Sequence, residues 1–436
     1  MHRLSRLHAW ALALCATLTM AVSYADRQAL AVLSPTVTRE LNISETAYGW
    51  LLSAFSLAYL MGAPLAGRWL DRVGARRGLP IAVFVWSSIA AAHVLLPGPG
   101  AGLWALLALR VLLGMAESPS FPGASQTVHR VLPPADRPRG FGVLYVGSSL
   151  GAMVVPPIAS ALEHRFGFRF AFLGVAAVGL AWLPLWLVVT RSPAARQALD
   201  HAPTDANTSA GDTAALYAAP PLAGPPAAEI ALSLTALVRR PVLLRGIAAT
   251  LAVAPMMSYA LNWSPKYLVA TFHLPQHELG ALLWMPPVLF DLGSIGFGAW
   301  QARRARSAPS HQPPVPLLPG LAGLALALAC AVVPWGQTPQ IAVLLTGLAM
   351  AGGGALFALF TADTLSRVPS ASVSAAAGLL ASAQSLAYIA ASPLIGRGVE
   401  TRGHPFVLNA LAAWLVPGVV AWLLVRGWKK TSGPNG

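Results

Sequence analysis

Four charged residues of this chain lie within apolar segments, where charged side chains are costly. Asp26 and Arg27 are adjacent in an apolar run that begins near Ala9, and Arg110 and Glu117 lie seven positions apart in another. Placing a charged side chain at membrane depth costs about 2.5–3.5 kcal/mol, so an ionisable residue in such a segment commonly marks a functional site. These four residues are therefore the first candidates for chemistry.

Their types suit the binding of an organic anion together with protons. A guanidinium stays protonated and can hold a carboxylate through two hydrogen bonds, which makes Arg27 a candidate substrate anchor. A carboxyl group in a low-dielectric medium can carry a proton, which makes Asp26 and Glu117 candidate proton-coupling residues. Arg110 and Glu117 lie on one helix face, about 10 Å apart along its axis. Arg110 therefore either binds the substrate or uses its charge to influence the protonation of Glu117. Alternatively, the four charges only pair with one another and lock two helices together.

The composition of the chain indicates that a lipid bilayer surrounds these residues. Of the 436 residues, 56% are hydrophobic and 10% are charged, and the mean hydropathy is +0.61. A soluble domain carries about 25% charged residues. The net charge of +14 would suit nucleic acid only if a soluble domain carried a basic face, whereas here the basic residues lie in short clusters between apolar runs. We therefore expect no nucleic-acid partner.

The apolar runs predict an all-α integral membrane protein with twelve transmembrane helices, since a span needs about 20 mainly apolar residues. The spans are expected at residues 9–35, 46–67, 79–97, 101–122, 140–162, 168–190, 243–270, 279–301, 315–335, 340–362, 373–395 and 405–425. Arginine and lysine are concentrated in the loops that lie on the same side as both termini, which places both termini in the cytoplasm. The expected location is a cell inner membrane, which the chain crosses many times.

The spans divide into two halves of six. Residues 1–191 form the expected N-terminal half, 192–240 a flexible cytoplasmic linker rich in alanine and proline, 241–428 the C-terminal half and 429–436 a cytoplasmic tail. The first span could instead be a signal peptide, because Ser23-Tyr24-Ala25 resembles a cleavage site after an apolar run. We expect an uncleaved helix, since only then does each half contain six spans.

The loop between the second and third spans carries a regular motif, Gly67-Arg68-Trp69-Leu70-Asp71-Arg72-Val73-Gly74-Ala75-Arg76-Arg77. It resembles the signature G-x-x-x-D-R-x-G-x-R-R of the major facilitator superfamily. The resemblance implies two pseudo-symmetric six-helix halves around a central cavity, a plan in which the binding site lies near mid-membrane. It also implies a role in conformational switching for six residues, namely Gly67, Asp71, Arg72, Gly74, Arg76 and Arg77.

Three further stretches resemble the anion:cation symporter branch of that superfamily, which includes hexuronate, aldonate and aldarate transporters. They are Tyr24-Ala25-Asp26-Arg27, residues 114–122 and Trp263-Ser264-Pro265-Lys266-Tyr267-Leu268. In that branch the counterpart of Arg27 contacts the substrate carboxylate, and the counterparts of Asp26 and Glu117 take part in proton coupling. The resemblance implies symport of protons with a small organic monoanion such as a hexuronate, by alternating access. The driving force would be a proton gradient, and no cofactor is expected.

Other polar residues in the predicted spans are candidates for substrate contact. Tyr59 matches a position that lines the cavity in this family, and a tyrosine there could hydrogen-bond a sugar hydroxyl. Asn262 and Gln384 could bind the substrate from the second half, although polar residues also join membrane helices. Asp291 is a further intramembrane acid and a candidate proton-coupling residue.

Two serines argue against one class of substrate. Ser148 and Ser149 occupy a region of the fifth span where aldonate carriers tend to place a glutamine. This departure from the family pattern disfavours an aldonate.

Several other classes of function are not expected. Histidines such as His93 and His404 form no metal-like pair on one helix face, so we expect interfacial positions for them and no metal site. The chain carries no G-x-S-x-G, H-E-x-x-H or nucleotide-binding P-loop, so neither an enzyme nor an ATP-driven pump is expected. The protein is expected to be a monomer. Two alternatives stay open: a proton-driven metabolite or drug exporter of the same fold, and a membrane sensor that keeps the fold without transporting.

Overall fold

The computed structural model describes residues 4–133, 136–200, 234–306, 316–369 and 372–424, and within these ranges the regular structure is entirely helical. The α-helices are α1 (Arg6–Glu40), α2 (Glu45–Val73), α3 (Ala75–Ala91), α4 (Ala101–Glu117), α5 (Ser120–Val131), α6 (Arg137–Val189), α7 (Pro193–Asp200), α8 (Leu234–Val238), α9 (Pro241–Asn262), α10 (Ser264–Phe272), α11 (Gly280–Leu283), α12 (Met285–Arg306), α13 (Leu317–Ala327), α14 (Pro339–Leu365) and α15 (Val373–Leu424). The predicted all-α class is confirmed.

The described part of the chain contains the twelve predicted spans. Nine helical segments there are long and apolar enough to cross a membrane. Two of them, Arg139–Val189 and Ala375–Leu424, change direction at Gly167 and Gly403, whose φ angles are +81° and +79°. Glycine adopts this region of backbone space without strain, so each long segment supplies two spans. The shorter apolar helix Leu317–Ala331 completes the set.

The fourth span is broken at the position of one candidate residue. Helix α4 ends at Glu117 and α5 begins at Ser120, with Pro119 between them. Proline has no N–H to continue the hydrogen-bond ladder, which accounts for the break. The chain then continues as helix to Val131, about nine residues beyond the predicted end of the span. Glu117 thus lies at the end of a helix segment in the interior of the protein, where its exposed fraction is 0%.

The helices form two groups. In the first half α1 packs along α6 and α2 along α4, and in the second α12 packs along α14 and α9 along α15. The buried core of the first half includes Trp86 and Trp186, whereas that of the second continues across the interface between the halves.

One end of the molecule, here called the closed face, joins the two halves through polar contacts. Lys266 of α10 lies 2.6 Å from Thr38 Oγ1 and 3.0 Å from Glu45 Oε2, and its exposed fraction is 5%. The Tyr48 hydroxyl donates to the Asn262 carbonyl at 3.0 Å. A buried ammonium that has partners on the opposite half holds the two halves together at this end.

Glycines let the helix backbones meet at the same face. A Cβ added at Gly49 would lie 2.3 Å from the carbonyl oxygen of Ser392, and one at Gly396 would lie 2.3 Å from that of Glu45. Both distances are far below van der Waals contact, so only glycine permits this approach. The closed face therefore depends on glycines that allow close backbone approach as well as on polar pairs.

The predicted linker is helical where it begins. In α7 the side chains of Ala195 and Leu199 are fully buried, and the Leu199 carbonyl accepts a hydrogen bond from Arg130. Packing of these apolar side chains against α3 and α5 explains why the segment is ordered despite its polar composition. Residues 201–233 of the linker and the predicted tail, 429–436, lie outside the described residues.

Candidate functional site

Three residues of two neighbouring spans form one hydrogen-bonded unit. Glu117 Oε2 accepts a hydrogen bond from Arg27 Nε at 2.9 Å and another from the Ser23 hydroxyl at 2.8 Å. Arg27 Nη2 in turn donates to the Ser23 oxygen at 3.3 Å. Helical spacing places Ser23 and Arg27 on one face of α1, because they are four residues apart. The unit thus joins a predicted substrate anchor to a predicted proton site.

The Arg27 guanidinium is enclosed by aromatic rings. It lies 4.9 Å from the centre of the Tyr24 ring, 5.0 Å from that of Phe55 and 4.4 Å from that of Tyr59. Guanidinium groups are attracted to the faces of such rings. The Arg27 side chain is nevertheless 22% exposed. A ligand can therefore reach the guanidinium, and Tyr59 lies beside the position that such a ligand would occupy.

Arg110 contacts a histidine rather than the Arg27–Glu117 unit. It is 3% exposed, and its Nη2 lies 3.2 Å from Nε2 of His93, a residue in the turn that follows α3. His93 Nδ1 lies 3.1 Å from the carbonyls of Ile89 and Ala90, which can only accept hydrogen bonds. The ring therefore carries its hydrogen on Nδ1 and uses Nε2 to accept from Arg110. This position favours the tuning role among the two predicted for Arg110.

Two of the histidines that are expected at interfacial positions are buried within the protein. His93 is fully buried, and His404 is 8% exposed with its Nδ1 2.8 Å from the Tyr259 hydroxyl. In both cases a polar partner on another helix compensates for the burial of the ring.

Asp26 is buried beside this unit and makes no direct bond to it. Its exposed fraction is 3%, and its Oδ2 has no hydrogen-bond partner among the described residues. Burying a charged carboxylate without such a partner is costly, and a bound proton removes that cost. Arg110 Nε and Glu117 Oε1 are likewise buried without a partner within the described chain. The site therefore holds donors and acceptors that are free to form new bonds.

Two of the candidate substrate contacts lie in the second half. Gln384 Nε2 donates to the Tyr388 hydroxyl at 3.2 Å. Asn262 Nδ2 donates to the Ser258 carbonyl on its own helix at 3.0 Å. Gln384 is thus bound within its own helix, α15, whereas Asn262 belongs to the closed face.

Asp291 forms a separate contact between the halves. Its Oδ1 accepts a hydrogen bond from the Ser149 hydroxyl at 2.8 Å, and both residues are half-buried. The structure thus brings Asp26, Arg27, Arg110 and Glu117 together and places Asp291 apart from them, at the boundary between α12 and α6.

The predicted switching loop forms a compact corner at the other end of the first half. Gly74 ends α2 with φ +79°, and the amide of Ala75 donates to Gln126 Oε1 at 2.8 Å. Gln126 Nε2 also lies 3.4 Å from Asp71 Oδ1. Arg76 Nε donates to both carboxylate oxygens of Asp200 at 2.8 Å. The loop thereby binds the start of the linker.

The remaining motif residues are less constrained. Arg72 and Arg77 are exposed, and a Cβ at Gly67 would meet no atom within 4 Å.

Comparison with known proteins agrees with this architecture. Residues 16–392 match the family profile of the Major Facilitator Superfamily. The chain belongs to this superfamily. It is accordingly a multi-pass membrane transporter and not an enzyme, and the predicted fold is confirmed.

Individual relatives carry names that refer to sugar acids. The chain is 28% identical over 279 residues to the hexuronate transporter of Bacillus subtilis strain 168, a match that covers 64% of this chain and 60% of that protein. It is 25% identical over 426 residues to the D-galactonate transporter of Escherichia coli O6:H1, with 95% of each chain covered.

A solved structure shows the same superfamily fold. The chain has a TM-score of 0.74 and 17% identity to a bacterial homologue of the human lysosomal transporter Spinster in an inward-facing, unoccupied conformation, with 96% of this chain and 97% of that chain covered. At this identity the similarity shows the fold alone.

Sequence reasoning missed four participants in the site. Ser23, Phe55, His93 and Tyr388 contact the predicted residues in the structure. Only Ser23 had a signal in the sequence, since it lies one helical turn before Arg27. The partners of the other three are set by the packing of separate helices.

Proposed function

We propose that this transporter is a symporter that carries protons together with a small polyhydroxylated organic monoanion, such as a hexuronate, by alternating access. The observation that carries the proposal is the bond between Glu117 and Arg27 at 2.9 Å. The carboxylate of Glu117 binds the Arg27 guanidinium, which is the group proposed to bind the carboxylate of the substrate. The two compete for the same donor, which is the requirement for coupling.

The cycle starts from this paired state. A proton that binds Glu117 removes the charge that holds Arg27, and the guanidinium then binds the substrate carboxylate. Asp26, buried without a hydrogen-bond partner on Oδ2, is a second proton-coupling residue. Arg110 acts through its charge near Glu117 and Asp26 rather than by touching the substrate. Loss of the proton on the other side of the membrane restores the bond from Glu117 to Arg27 and releases the substrate.

The names of the relatives support the substrate class. Both relatives described above are named for six-carbon sugar acids that carry one carboxylate. We infer a hexuronate as the first substrate to test, with an aldonate as the second because of the D-galactonate transporter. The serines at positions 148 and 149 disfavour the aldonate.

The loop charges support an orientation for the protein in its membrane. We propose a monomer in a bacterial inner membrane with both termini in the cytoplasm, since the arginine-rich loops belong inside. The closed face is then external, and the molecule faces inward.

Uptake into proteoliposomes tests the proposal. Labelled glucuronate or galacturonate is offered to purified protein in vesicles with and without an inward proton gradient. We expect uptake that the gradient stimulates and that a protonophore abolishes. Equal uptake with and without the gradient would contradict proton coupling, and binding without any uptake would favour a sensor.

A further inference from the structure

The acid that lies apart from the four-charge cluster faces the interior of the transporter. Asp291 extends from α12 to the Ser149 hydroxyl of α6, so it points from one half to the other. The opposite side of α12 packs on α14, where a Cβ at Gly293 would lie 2.0 Å from the carbonyl oxygen of Ala351. This packing fixes the helix with Asp291 directed toward the first half.

A short path of side chains joins Asp291 to the substrate anchor. The Arg27 guanidinium lies 4.9 Å from the centre of the Tyr24 ring, and the Tyr24 side chain interacts with that of Ser148. Ser149, the next residue, binds Asp291 at 2.8 Å. One aromatic ring and two neighbouring serines therefore separate the guanidinium from the carboxylate.

Arg27 and Asp291, at the two ends of this path, carry opposite charges. Arg27 attracts a carboxylate, whereas Asp291 accepts hydrogen bonds from hydroxyl groups and repels a second carboxylate. A six-carbon sugar acid whose carboxylate is bound by Arg27 would extend its hydroxyls toward the serines and Asp291. A diacid of the same length would place its second charge near Asp291.

We propose that Asp291 and Ser149 form a subsite that binds the hydroxyl end of the substrate, and that the charge of Asp291 selects sugar monoacids over sugar diacids. This inference rests on the proposed function. The inference assigns Asp291 to substrate recognition, in place of the proton-coupling role expected from its position in a span.

Competition between two matched acids tests this selectivity. Glucuronate and glucarate share one carbon skeleton, and glucarate carries a second carboxylate at the carbon that is the hemiacetal carbon of glucuronate. In proteoliposomes containing the wild-type protein, we expect glucarate to inhibit labelled glucuronate uptake about tenfold less well than unlabelled glucuronate, the order expected for like charges in a partly solvated site. In Asp291→Asn the difference should shrink severalfold, because the amide accepts a hydrogen bond without carrying charge.

Ser149→Ala separates the charge of Asp291 from the hydroxyl that Ser149 contributes to the subsite. It removes the hydrogen bond between the halves and keeps the carboxylate, so we expect weaker glucuronate uptake with an unchanged preference for glucuronate over glucarate. Elution of each variant as a single species in gel filtration shows that it is folded.

Several results would overturn the inference. An unchanged difference between the two acids in Asp291→Asn would contradict it, as would a wild-type protein that does not discriminate between them. Loss of gradient-driven uptake with unchanged selectivity would assign Asp291 to proton coupling instead. A wild-type protein that takes up no sugar acid would contradict the proposed function and this inference together, whereas the first outcome contradicts this inference alone.

Discussion

Glu117 and Arg27 are bound to each other, with Glu117 Oε2 and Arg27 Nε 2.9 Å apart. Glu117 is fully buried at the end of α4, whereas the Arg27 side chain keeps 22% exposure. The acid is therefore shielded while the base remains accessible to a ligand. In the proposed mechanism, the carboxylate of the substrate and that of Glu117 are alternatives for one guanidinium, so that a proton on Glu117 favours binding of the substrate.

Arg27→Lys should weaken substrate binding without removing the positive charge. A lysine ammonium cannot make the two parallel hydrogen bonds of a guanidinium. We expect the apparent affinity for glucuronate to fall roughly tenfold to a hundredfold, which corresponds to about 1.5–3 kcal/mol for a charge-assisted hydrogen bond. Concentration dependence of uptake measures this change. Arg39→Lys is the control, since Arg39 is exposed at the end of the same helix. Equal losses in both variants would argue against an anchor role for Arg27.

His93→Leu should destabilise the first half by leaving a buried guanidinium donor without an acceptor. The cost of such an unpaired group is about 1–3 kcal/mol. His93→Gln should recover part of the stability, because its amide oxygen can accept a hydrogen bond from Arg110. Thermal unfolding in detergent compares the variants. If leucine and glutamine gave the same unfolding temperature, the hydrogen bond to Arg110 would not be the source of the effect.

Gly396→Ala should shift the transporter away from the state with the closed face formed. The added Cβ would lie 2.3 Å from the Glu45 carbonyl, so the helices could no longer approach as they do here. Gly378→Ala is the control on the same helix, since a Cβ there meets no atom within 4 Å. A cysteine placed at Ala260, which lines a small cavity beside this face, reports opening through its reaction with an impermeant maleimide. We expect faster labelling in Gly396→Ala than in the control, and equal rates would contradict this role for the glycine.

The sequence allowed the architecture to be predicted because a span has a simple physical signature. Hydropathy allowed the twelve helices to be predicted, and the polar linker between the sixth and seventh spans indicated their grouping into halves, in agreement with the motif beginning at Gly67. Intramembrane charge drew attention to Asp26, Arg27, Arg110 and Glu117, because a charged side chain in a span is costly. These four residues are the ones that the structure gathers into one cluster.

Partners on separate helices could not be predicted in the same way. A histidine within an apolar span has no periodicity that points to Arg110, so the position of His93 required the packing of α3 against α4. The break after Glu117 depends on Pro119, yet prolines inside membrane helices are often tolerated, and the sequence alone did not distinguish the two cases. The order of α7 likewise depends on a surface formed by α3 and α5.

The central claim is that Glu117 couples the proton to the substrate through Arg27, and transport by Glu117→Gln tests it most directly. The glutamine is similar in size and cannot take up or release a proton. Labelled glucuronate is measured in proteoliposomes in two modes, namely exchange against internal glucuronate and accumulation driven by an inward proton gradient. The account predicts that Glu117→Gln keeps exchange and loses gradient-driven accumulation, while the wild-type protein shows both. Accumulation by Glu117→Gln at the wild-type level would contradict it.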